Sequence, residues 1–337
     1  MRLRVGIVGA GLAGLATARA LKAAGHQATI FEKSDHVGGR VATRNIGGYV
    51  FDSGASDIVP RGHPLEEVML KELDTSELVT IEKPIYMHQA LRPTFPESSR
   101  AQPKRYTYIS GNNKLPQMLA EGLDVRLRST VEGLEKSPAS YKVLGEEFDA
   151  VVLTAPIPQT ATILWTISES RPFANCRYRP CLSVMLGFAK QAPDVHYHAL
   201  LDPEQRHPLM WLSIESIKCP RRAAEGHTAM VAQLSPAYSL TNFAADEQRV
   251  IGDVLDYVAR LYGQEWNGAE VAQVKRWKYA LPDSVSLFDT VNDPSQRVII
   301  AGDGVLAGRT ESAYDTGLRA AALLMAATGV KRASASS

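Results

Sequence analysis

The feature that most constrains the fold is a run of glycines with the spacing G-x-G-x-x-G, from Gly9 to Gly14. A short β-branched run, residues 4–8, precedes it, and an Ala- and Leu-rich stretch with helical spacing, residues 12–24, follows it. A second strand is predicted over residues 27–32, and the intervening helix has the length that parallel strands require. The sequence therefore predicts a βαβ unit, a parallel sheet and an α/β fold.

Each glycine of this motif has a steric reason that points to a dinucleotide. Gly9 permits a tight turn out of the strand, Gly11 lets the backbone approach a pyrophosphate, and Gly14 lets the helix pack closely on the sheet. The phosphates would lie at the helix N-terminus, where free amides and the helix dipole favour negative charge. Glu32 ends the next strand, 18 residues beyond Gly14, and is placed to accept hydrogen bonds from a ribose diol.

Further motifs separate this chain from a simple NAD dehydrogenase, which has no need for them. The Gly-Gly-Arg triplet at residues 38–40 can follow a cofactor, and its guanidinium can pair with a diphosphate or lie beside a ring. The segment FDSGAS occupies residues 51–56. Near the other end, Gly302 and Asp303 follow a buried strand predicted over residues 297–301, and a long helix is predicted over residues 312–327.

This combination resembles the FAD-dependent amine oxidase and renalase superfamily, from Val5 to about residue 327. The resemblance implies non-covalent FAD, because no Cys or His lies in the motifs assigned to the flavin ring. It implies a discontinuous Rossmann-type FAD-binding domain with a parallel sheet and an inserted α+β substrate domain, as in p-hydroxybenzoate hydroxylase and the amine oxidases. The cofactor-binding residues expected on this basis are Gly9, Gly11, Leu12, Ala13, Gly14, Glu32, Lys33, Gly38, Gly39, Arg40, Gly54, Ala55, Ser56, Val131, Gly302, Asp303, Glu311, Ser312 and Ala313.

The strand pattern predicts where the chain leaves and re-enters the first domain. A hairpin after residue 125 leads into a buried run, residues 149–155, that should rejoin the first sheet. Further strands are predicted over 177–188, 227–234 and 272–279, and a helix over 245–261. The predicted FAD-binding domain comprises residues 1–60, 104–160 and 285–330, the substrate domain 61–103 and 161–284, and a disordered tail 331–337.

Within the superfamily, this chain is most similar to renalase-like proteins. The similarity lies in the length of the chain and in the sequences of residues 111–125, 178–186 and 275–282. That likeness implies oxidation of dihydronicotinamide isomers of NAD(P)H by hydride transfer to flavin N5, with oxygen as the acceptor. A dihydropyridine that loses a hydride becomes an aromatic cation, so no general base is required. Ser56 and Ser312 depart from the family pattern, which more often has Gln and Gly there.

No catalytic side chain is assigned, because the flavin would carry the chemistry. Trp277 and Tyr279 alternate on a predicted strand, so both point to one face. They could form a wall for a flat ring or pack in the core; core packing is favoured for Trp277, and Tyr279 is left open between the two. Trp211 is a third pocket candidate. His196 and His198 are predicted to be surface residues, and no ligand spacing for a metal is present.

Composition limits the partners and leaves three other functions open. With 37 basic and 36 acidic residues, the chain has no electrostatic case for nucleic acid, and no segment is apolar enough to predict a membrane span. Its three cysteines form no motif, which favours a reducing, cytoplasmic location. The alternatives are a flavin amine oxidase or dehydrogenase of another small reduced substrate, a non-catalytic FAD-binding protein, and an NAD-dependent dehydrogenase. Basic residues in the substrate part favour a phosphorylated ligand: Arg177, Arg179, Arg206, Lys218, Arg221 and Arg222.

Overall fold

A computed structural model describes residues 2–94, 103–173 and 176–334. The strands are β1 (Arg4–Val8), β2 (Gln27–Phe31), β3 (Arg44–Ile46), β4 (Tyr49–Phe51), β5 (Leu78–Thr80), β6 (Ile85–Gln89), β7 (Arg92–Thr94), β8 (Tyr106–Tyr108), β9 (Asp124–Arg126), β10 (Glu135–Lys136), β11 (Tyr141–Val143), β12 (Glu146–Phe148), β13 (Ala150–Leu153), β14 (Tyr178–Phe188), β15 (Ala199–Leu201), β16 (Leu209–Ile214), β17 (Thr228–Leu234), β18 (Val271–Pro282) and β19 (Val298–Ile300). The helices are α1 (Leu12–Ala23), α2 (Pro64–Glu67), which continues into a π-helical turn (Val68–Glu72), α3 (Lys114–Ala120), α4 (Ile157–Trp165), α5 (Glu215–Lys218), α6 (Pro236–Thr241), α7 (Glu247–Tyr262), α8 (Phe288–Val291) and α9 (Thr310–Ser334).

The first sheet is five-stranded and parallel, in the order β19-β13-β1-β2-β9. Strand β13 is buried along its whole length, as expected for a central strand covered on both faces. Helix α1 packs beside α9, and Gly317 allows that contact, because a Cβ there would lie 2.2 Å from the Ala13 carbonyl oxygen. The predicted α/β fold with a parallel sheet is confirmed, including the return of the chain to this sheet at β13.

The second large sheet has seven strands in the order β18-β14-β17-β16-β15-β6-β7. Its centre is antiparallel, and β15 pairs with β6 in parallel. Strands β14, β17 and β18 match the predicted strands to within a few residues, whereas β6, β15 and β16 were not predicted. Helix α7 covers this sheet with Val254 and Val258, and Asp246 caps its N-terminus by accepting hydrogen bonds from two backbone amides.

The two large apolar cores lie against the two large sheets. The predicted domain boundaries cut across the core of the parallel sheet. Ile163 and Leu164 of α4 pack in the core of the parallel sheet, so the boundary predicted after residue 160 falls inside this helix. Leu65 and Met69, from the segment expected to lie outside that domain, pack in the same core. Burial therefore groups these segments with the parallel sheet.

Three further predictions differ from the structure. Helix α9 continues to Ser334, past the residue where a tail was predicted to begin, while residues 335–337 lie outside the described residues. The Pro- and Ser-containing stretch at residues 93–104 is typical of a loop, but its first two residues belong to β7, and its residues 95–102 also lie outside the described residues. His198, which directly precedes β15, is fully buried rather than a surface residue, and its Nδ1 forms a hydrogen bond with the Lys83 carbonyl oxygen at 2.6 Å. None of the helices in the described part of the chain is long and apolar enough to cross a membrane.

Candidate functional site

A cavity of about 810 Å³ lies between the parallel sheet and the seven-stranded sheet. Its floor is formed by the residues that follow the carboxyl ends of the parallel strands, including Gly9, Glu32, Val131, Thr154 and Gly302. Ligands of open α/β sheets bind at this edge, where the loops diverge. The volume lies near the upper end of the range for cofactor sites, so the cavity can take a ligand as large as a dinucleotide.

The glycine loop between β1 and α1 brings backbone directly to the cavity. A Cβ added at Gly11 would meet no atom within 4 Å, so ligand atoms can approach the backbone here. A Cβ at Gly14 would lie 2.0 Å from the Gly9 carbonyl oxygen, so no side chain fits where α1 packs on the loop. Gly9 itself has a φ of +106°, a backbone conformation that residues with a side chain rarely adopt. The first amides of α1 are therefore available to an anion.

Glu32 lines the cavity directly after β2 and is almost fully buried. One carboxylate oxygen accepts a hydrogen bond from the Ala10 amide at 2.8 Å, and the other accepts from Ser34 through its amide and its hydroxyl. A carboxylate has about four lone-pair sites, so capacity remains for further donors. The geometry suits a ribose diol next to the glycine loop.

Arg40 links the three cofactor motifs to one another. Its guanidinium forms a two-pronged ion pair with Asp303, at 2.8 and 2.5 Å, and also donates to the Ala280 carbonyl oxygen. Its own carbonyl oxygen accepts a hydrogen bond from the Ala55 amide. The sequence predicted that Arg40 and Asp303 both face the cofactor; the structure adds that they face each other and present a neutral pair to the cavity.

The N-terminus of α9 also faces the cavity, through Arg309, Thr310 and Ala313. The helix begins at Thr310, two residues before the predicted start. Glu311 points away from the cavity and is buried in an ion pair with Arg61. The free amides of this first turn are therefore directed at the ligand space, while the acidic side chain is neutralised elsewhere.

Most of the predicted cofactor residues line this one cavity. They are Gly9, Gly11, Leu12, Ala13, Glu32, Lys33, Gly38, Gly39, Arg40, Gly54, Ala55, Val131, Gly302, Asp303 and Ala313. Four others do not line it: Gly14, Ser56, Glu311 and Ser312. Gly14 and Ser312 lie within helices, whereas the Ser56 carbonyl oxygen accepts a hydrogen bond from Lys218.

The opposite wall of the cavity belongs to the seven-stranded sheet. Trp277 and Tyr279 line it, each with a lysine ammonium over one ring face: Lys275 at 4.9 Å and Lys278 at 5.4 Å from the ring centroids. The third candidate, Trp211, lies outside the cavity. Its neighbour Met210 lines the wall, and successive residues of a strand point to opposite faces.

The lining of the whole cavity is strongly basic: among the described residues it includes seven lysines and arginines and two carboxylates. Three of the arginines form ion pairs: Arg40 with Asp303, Arg179 with Asp283 and Arg276 with Glu247. Lys33, Lys275, Lys278 and Arg309 form no ion pair within the described residues. Partial burial lowers the pKa of Lys275, and the nearby charges of Arg44 and Lys33 lower it further. An uncompensated basic wall favours an anionic ligand.

Cys181 lines the cavity but is unsuited to covalent attachment. Its sulfur lies near the carbonyl oxygens of Leu182 and Leu234, and burial raises the pKa of the thiol to about 12. The thiolate is the reactive form of cysteine, so this side chain is inert near neutral pH. No group of three or more His, Cys, Asp or Glu side chains arranged for a metal occurs among the described residues.

Gln233 and Lys275 belong to the site although the sequence analysis did not select them. Gln233 is the single amide side chain in strand β17, which is apolar from residue 229 to residue 232, and its Nε2 donates to the Gly54 carbonyl oxygen at 2.7 Å. A polar residue inside a buried strand was the available signal. Lys275 gave a weaker signal, because basic residues on β18 resemble those of a solvated face.

A fully buried charge network lies behind the segment 52–56. Asp52 accepts hydrogen bonds from Lys218 at 2.8 Å and Arg222 at 2.7 Å, and Glu215 pairs with Lys218 at 2.6 Å. The cations hold the pKa of Asp52 down to about 2 against the opposing effect of burial. Lys218 and Arg222 were predicted to favour a phosphorylated ligand. Instead, they are neutralised within the network, and neither lines the large cavity.

The fold and this site define a dinucleotide-binding protein with a Rossmann-type parallel sheet, and comparison with known proteins specifies the family. Residues 93–325 match the model for flavin containing amine oxidoreductases, and residues 7–73 match that for an NAD(P)-binding Rossmann-like domain. The chain belongs to the flavin containing amine oxidoreductase family, and its cofactor is FAD. The predicted superfamily, cofactor and class, an FAD-dependent oxidoreductase, are confirmed; the finer renalase-type specificity is not established by these matches.

Relatives of similar sequence match only a short segment. The segment is 46% identical over 57 residues to the 4,4'-diapophytoene desaturase (4,4'-diaponeurosporene-forming) of Staphylococcus haemolyticus, covering 17% of this chain and 11% of that protein. A stretch of 50 residues is 50% identical to the 1-hydroxycarotenoid 3,4-desaturase of Flavobacterium sp. (strain P99-3), covering 15% of this chain and 10% of that protein. The matched part thus spans about a tenth of these curated relatives.

Solved structures of similar fold cover nearly the whole chain at low identity. A putative protoporphyrinogen oxidase from Exiguobacterium sp. 255-15 aligns with TM-score 0.77 and 14% identity over 98% of this chain and 99% of that chain. The cyclohexylamine oxidase from Brevibacterium oxydans IH-35A aligns with TM-score 0.73 and 13% identity over 98% and 100%. These likenesses establish the fold.

The residues present fit FAD. Gly11 and the α1 amides would take the diphosphate, and Glu32 would take the adenosine ribose. The neutral Arg40–Asp303 pair and the first turn of α9 would adjoin the riboflavin half.

Proposed function

We propose that the chain oxidises a small reduced substrate that carries negative charge, and that a dihydronicotinamide dinucleotide is the leading candidate. The observation that carries this proposal is the uncompensated basic wall of the cavity. Lys275 and Lys278 lie on β18, line the cavity and form no ion pair within the described residues. They are therefore available to the phosphates of a second ligand, while Trp277 and Tyr279 offer flat surfaces for its ring.

This chain's residues would bind and orient such a substrate rather than exchange protons with it. When bound, FAD supplies the two-electron acceptor for the hydride that the substrate loses. The oxidised product is an aromatic cation, so no proton has to be removed and no general base is needed. We propose oxygen as the final electron acceptor.

The amine-oxidase alternative suits the wall less well. An aromatic cage binds an amine cation through the ring faces, but one face of each ring is already covered by a lysine ammonium. The same lysines would repel an alkylammonium substrate. A non-catalytic FAD-binding protein would need a closed cofactor site, whereas Lys278 on this wall is exposed to solvent.

We also retain the division into an FAD-binding part and an inserted substrate part as a proposal, with α4 assigned to the FAD-binding part because its apolar residues pack there. The free thiols of Cys176, Cys181 and Cys219 support a reducing compartment such as the cytoplasm.

The test is anaerobic stopped-flow mixing of the FAD-loaded protein with separate 2-, 4- and 6-dihydro isomers of NAD(P)H and with a panel of primary amines. We expect rapid bleaching of the flavin absorbance by the 2- or 6-dihydro isomers. Bleaching by amines alone would contradict the proposal in favour of an amine oxidase. Bleaching by no reductant, with chemically reducible flavin, would favour a non-catalytic role.

A further inference from the structure

Four consecutive backbone carbonyl groups of the segment 53–56 each accept a hydrogen bond from a side chain. The donors come from four separate parts of the chain. The bonds are Trp277 Nε1 to the Ser53 oxygen at 2.9 Å, Gln233 Nε2 to the Gly54 oxygen at 2.7 Å, Asn112 Nδ2 to the Ala55 oxygen at 2.9 Å and Lys218 Nζ to the Ser56 oxygen at 2.8 Å.

The opposite side of this segment is held by backbone. The Gly54 and Ala55 amides donate to the carbonyl oxygens of Ala42 and Arg40. A Cβ added at Gly54 would lie 2.0 Å from the Arg40 oxygen, so the two stretches of backbone are in direct contact. The segment has no regular secondary structure to satisfy its carbonyl groups, and buried carbonyl groups without a partner are costly. Side chains from elsewhere therefore fix its conformation.

We propose that these four donors are positioning residues for the cofactor: they hold the segment 53–56 as a fixed wall of the FAD cavity. This inference rests on the assignment of the cavity to FAD and is independent of the substrate. Gly54 and Ala55 line the cavity, whereas Asn112 and Lys218 do not and so act only through the segment. Trp277 and Gln233 come from the seven-stranded sheet, so that sheet sets the shape of the cofactor site from outside the parallel-sheet domain.

Loss of one donor would let the affected peptide group rotate, and binding of FAD would then have to order it again. Pre-organisation of a site raises affinity by removing such costs. Loss of one hydrogen bond to a neutral carbonyl group should therefore change the dissociation constant of FAD by about tenfold. A residue that only stabilises the fold would lower the unfolding temperature without changing the affinity or potential of the bound flavin.

The experiment compares matched pairs of variants of the FAD-loaded protein. Trp277→Phe removes the indole N–H and keeps an aromatic ring; Trp211→Phe makes the same change at a buried tryptophan whose Nε1 has no described hydrogen-bond partner. Asn112→Ala removes a donor that does not touch the cavity; Asn242→Ala removes a buried amide that donates to the Tyr238 carbonyl oxygen in α6. FAD release on dilution, the flavin midpoint potential and the unfolding temperature are measured for each.

We expect Trp277→Phe and Asn112→Ala each to raise the FAD dissociation constant by about tenfold and to shift the midpoint potential. Trp211→Phe and Asn242→Ala should change the dissociation constant by less than about twofold. Unchanged FAD affinity in both test variants, with only a lower unfolding temperature, would overturn the inference. A wild-type protein that binds no FAD would instead overturn the assignment of the cavity itself.

Discussion

Replacement of Asp52 by Asn should destabilise the protein strongly, because it unbalances the buried charge network. Asp52 and Glu215 balance Lys218 and Arg222, and none of the four side chains is exposed. Asn at position 52 would leave one uncompensated positive charge. The side-chain N–H groups of Asn could also lie against Lys218 and Arg222, whose hydrogen bonds the Asp52 carboxylate now accepts.

The magnitude follows from the burial of the network. Removal of one partner from a buried ion pair costs about 3–5 kcal/mol. The entropy of unfolding is about 2.1 cal/mol/K per residue, which for 337 residues gives about 0.7 kcal/mol/K. The unfolding temperature of Asp52→Asn should therefore fall by about 4–7 °C.

Thermal unfolding followed by far-UV circular dichroism measures this shift. The control is Asp289→Asn, which breaks the exposed pair with Arg319 and should lower the unfolding temperature by at most about 1 °C. The double variant Asp52→Asn/Lys218→Met restores neutrality, so it should be more stable than Asp52→Asn alone. The reasoning is refuted if Asp52→Asn unfolds within about 1 °C of wild type, or if the double variant is the less stable of the two.

Three further outcomes are expected. Burial lowers the pKa of His198 to about 4, so its contribution to stability is present above pH 6.5 and is lost as the pH falls towards 4. The free energy of unfolding of the wild type, measured with guanidinium, should therefore fall by about 2 kcal/mol from this group between about pH 7 and pH 5. His198→Gln should reduce that fall. Gly54→Ala places a methyl group against the Arg40 carbonyl oxygen, so FAD titration should give a dissociation constant about 5- to 150-fold higher, and an unchanged value would contradict the steric argument. Lys275→Gln should raise the half-saturating concentration of a dihydronicotinamide dinucleotide in stopped flow by about fivefold, whereas the exposed control Lys71→Gln should leave it unchanged.

The first βαβ unit was predictable to within a residue because its determinants are local. The turn at Gly9, the helical spacing after it and the end of β2 are all encoded within about 30 residues of sequence, as βαβ units generally are. The return of the chain at β13 was also predictable, since a continuous apolar run is typical of a central parallel strand. Nothing local indicated that α4 packs with the same core.

Strand phase explains the errors at the substrate wall. Without a prediction of β16, the sequence could not indicate which of two neighbours, Met210 or Trp211, faces the cavity, and a shift of one residue reverses every side chain. The parallel pairing of β15 with β6 joins segments more than 100 residues apart, and it brings the buried His198, directly before β15, against Lys83, just before β6. Such pairings depend on tertiary contacts that no local pattern encodes.

The same limit applies to the cofactor site, where residue types were more predictable than their partners. The sequence assigned Arg40 and Asp303 separately to the ligand, but they are 263 positions apart and neutralise each other. Their neutrality changes the electrostatic balance of the cavity, because the remaining positive charge lies on Lys33, Lys275, Lys278 and Arg309, two of which belong to β18. One fold can serve many substrates, so the charge of this wall, rather than family membership, is what argues for an anionic substrate. Reversal of that charge by Lys275→Glu should therefore raise the half-saturating concentration of a dihydronicotinamide dinucleotide in stopped flow with the FAD-loaded protein, and an unchanged value would contradict the electrostatic argument.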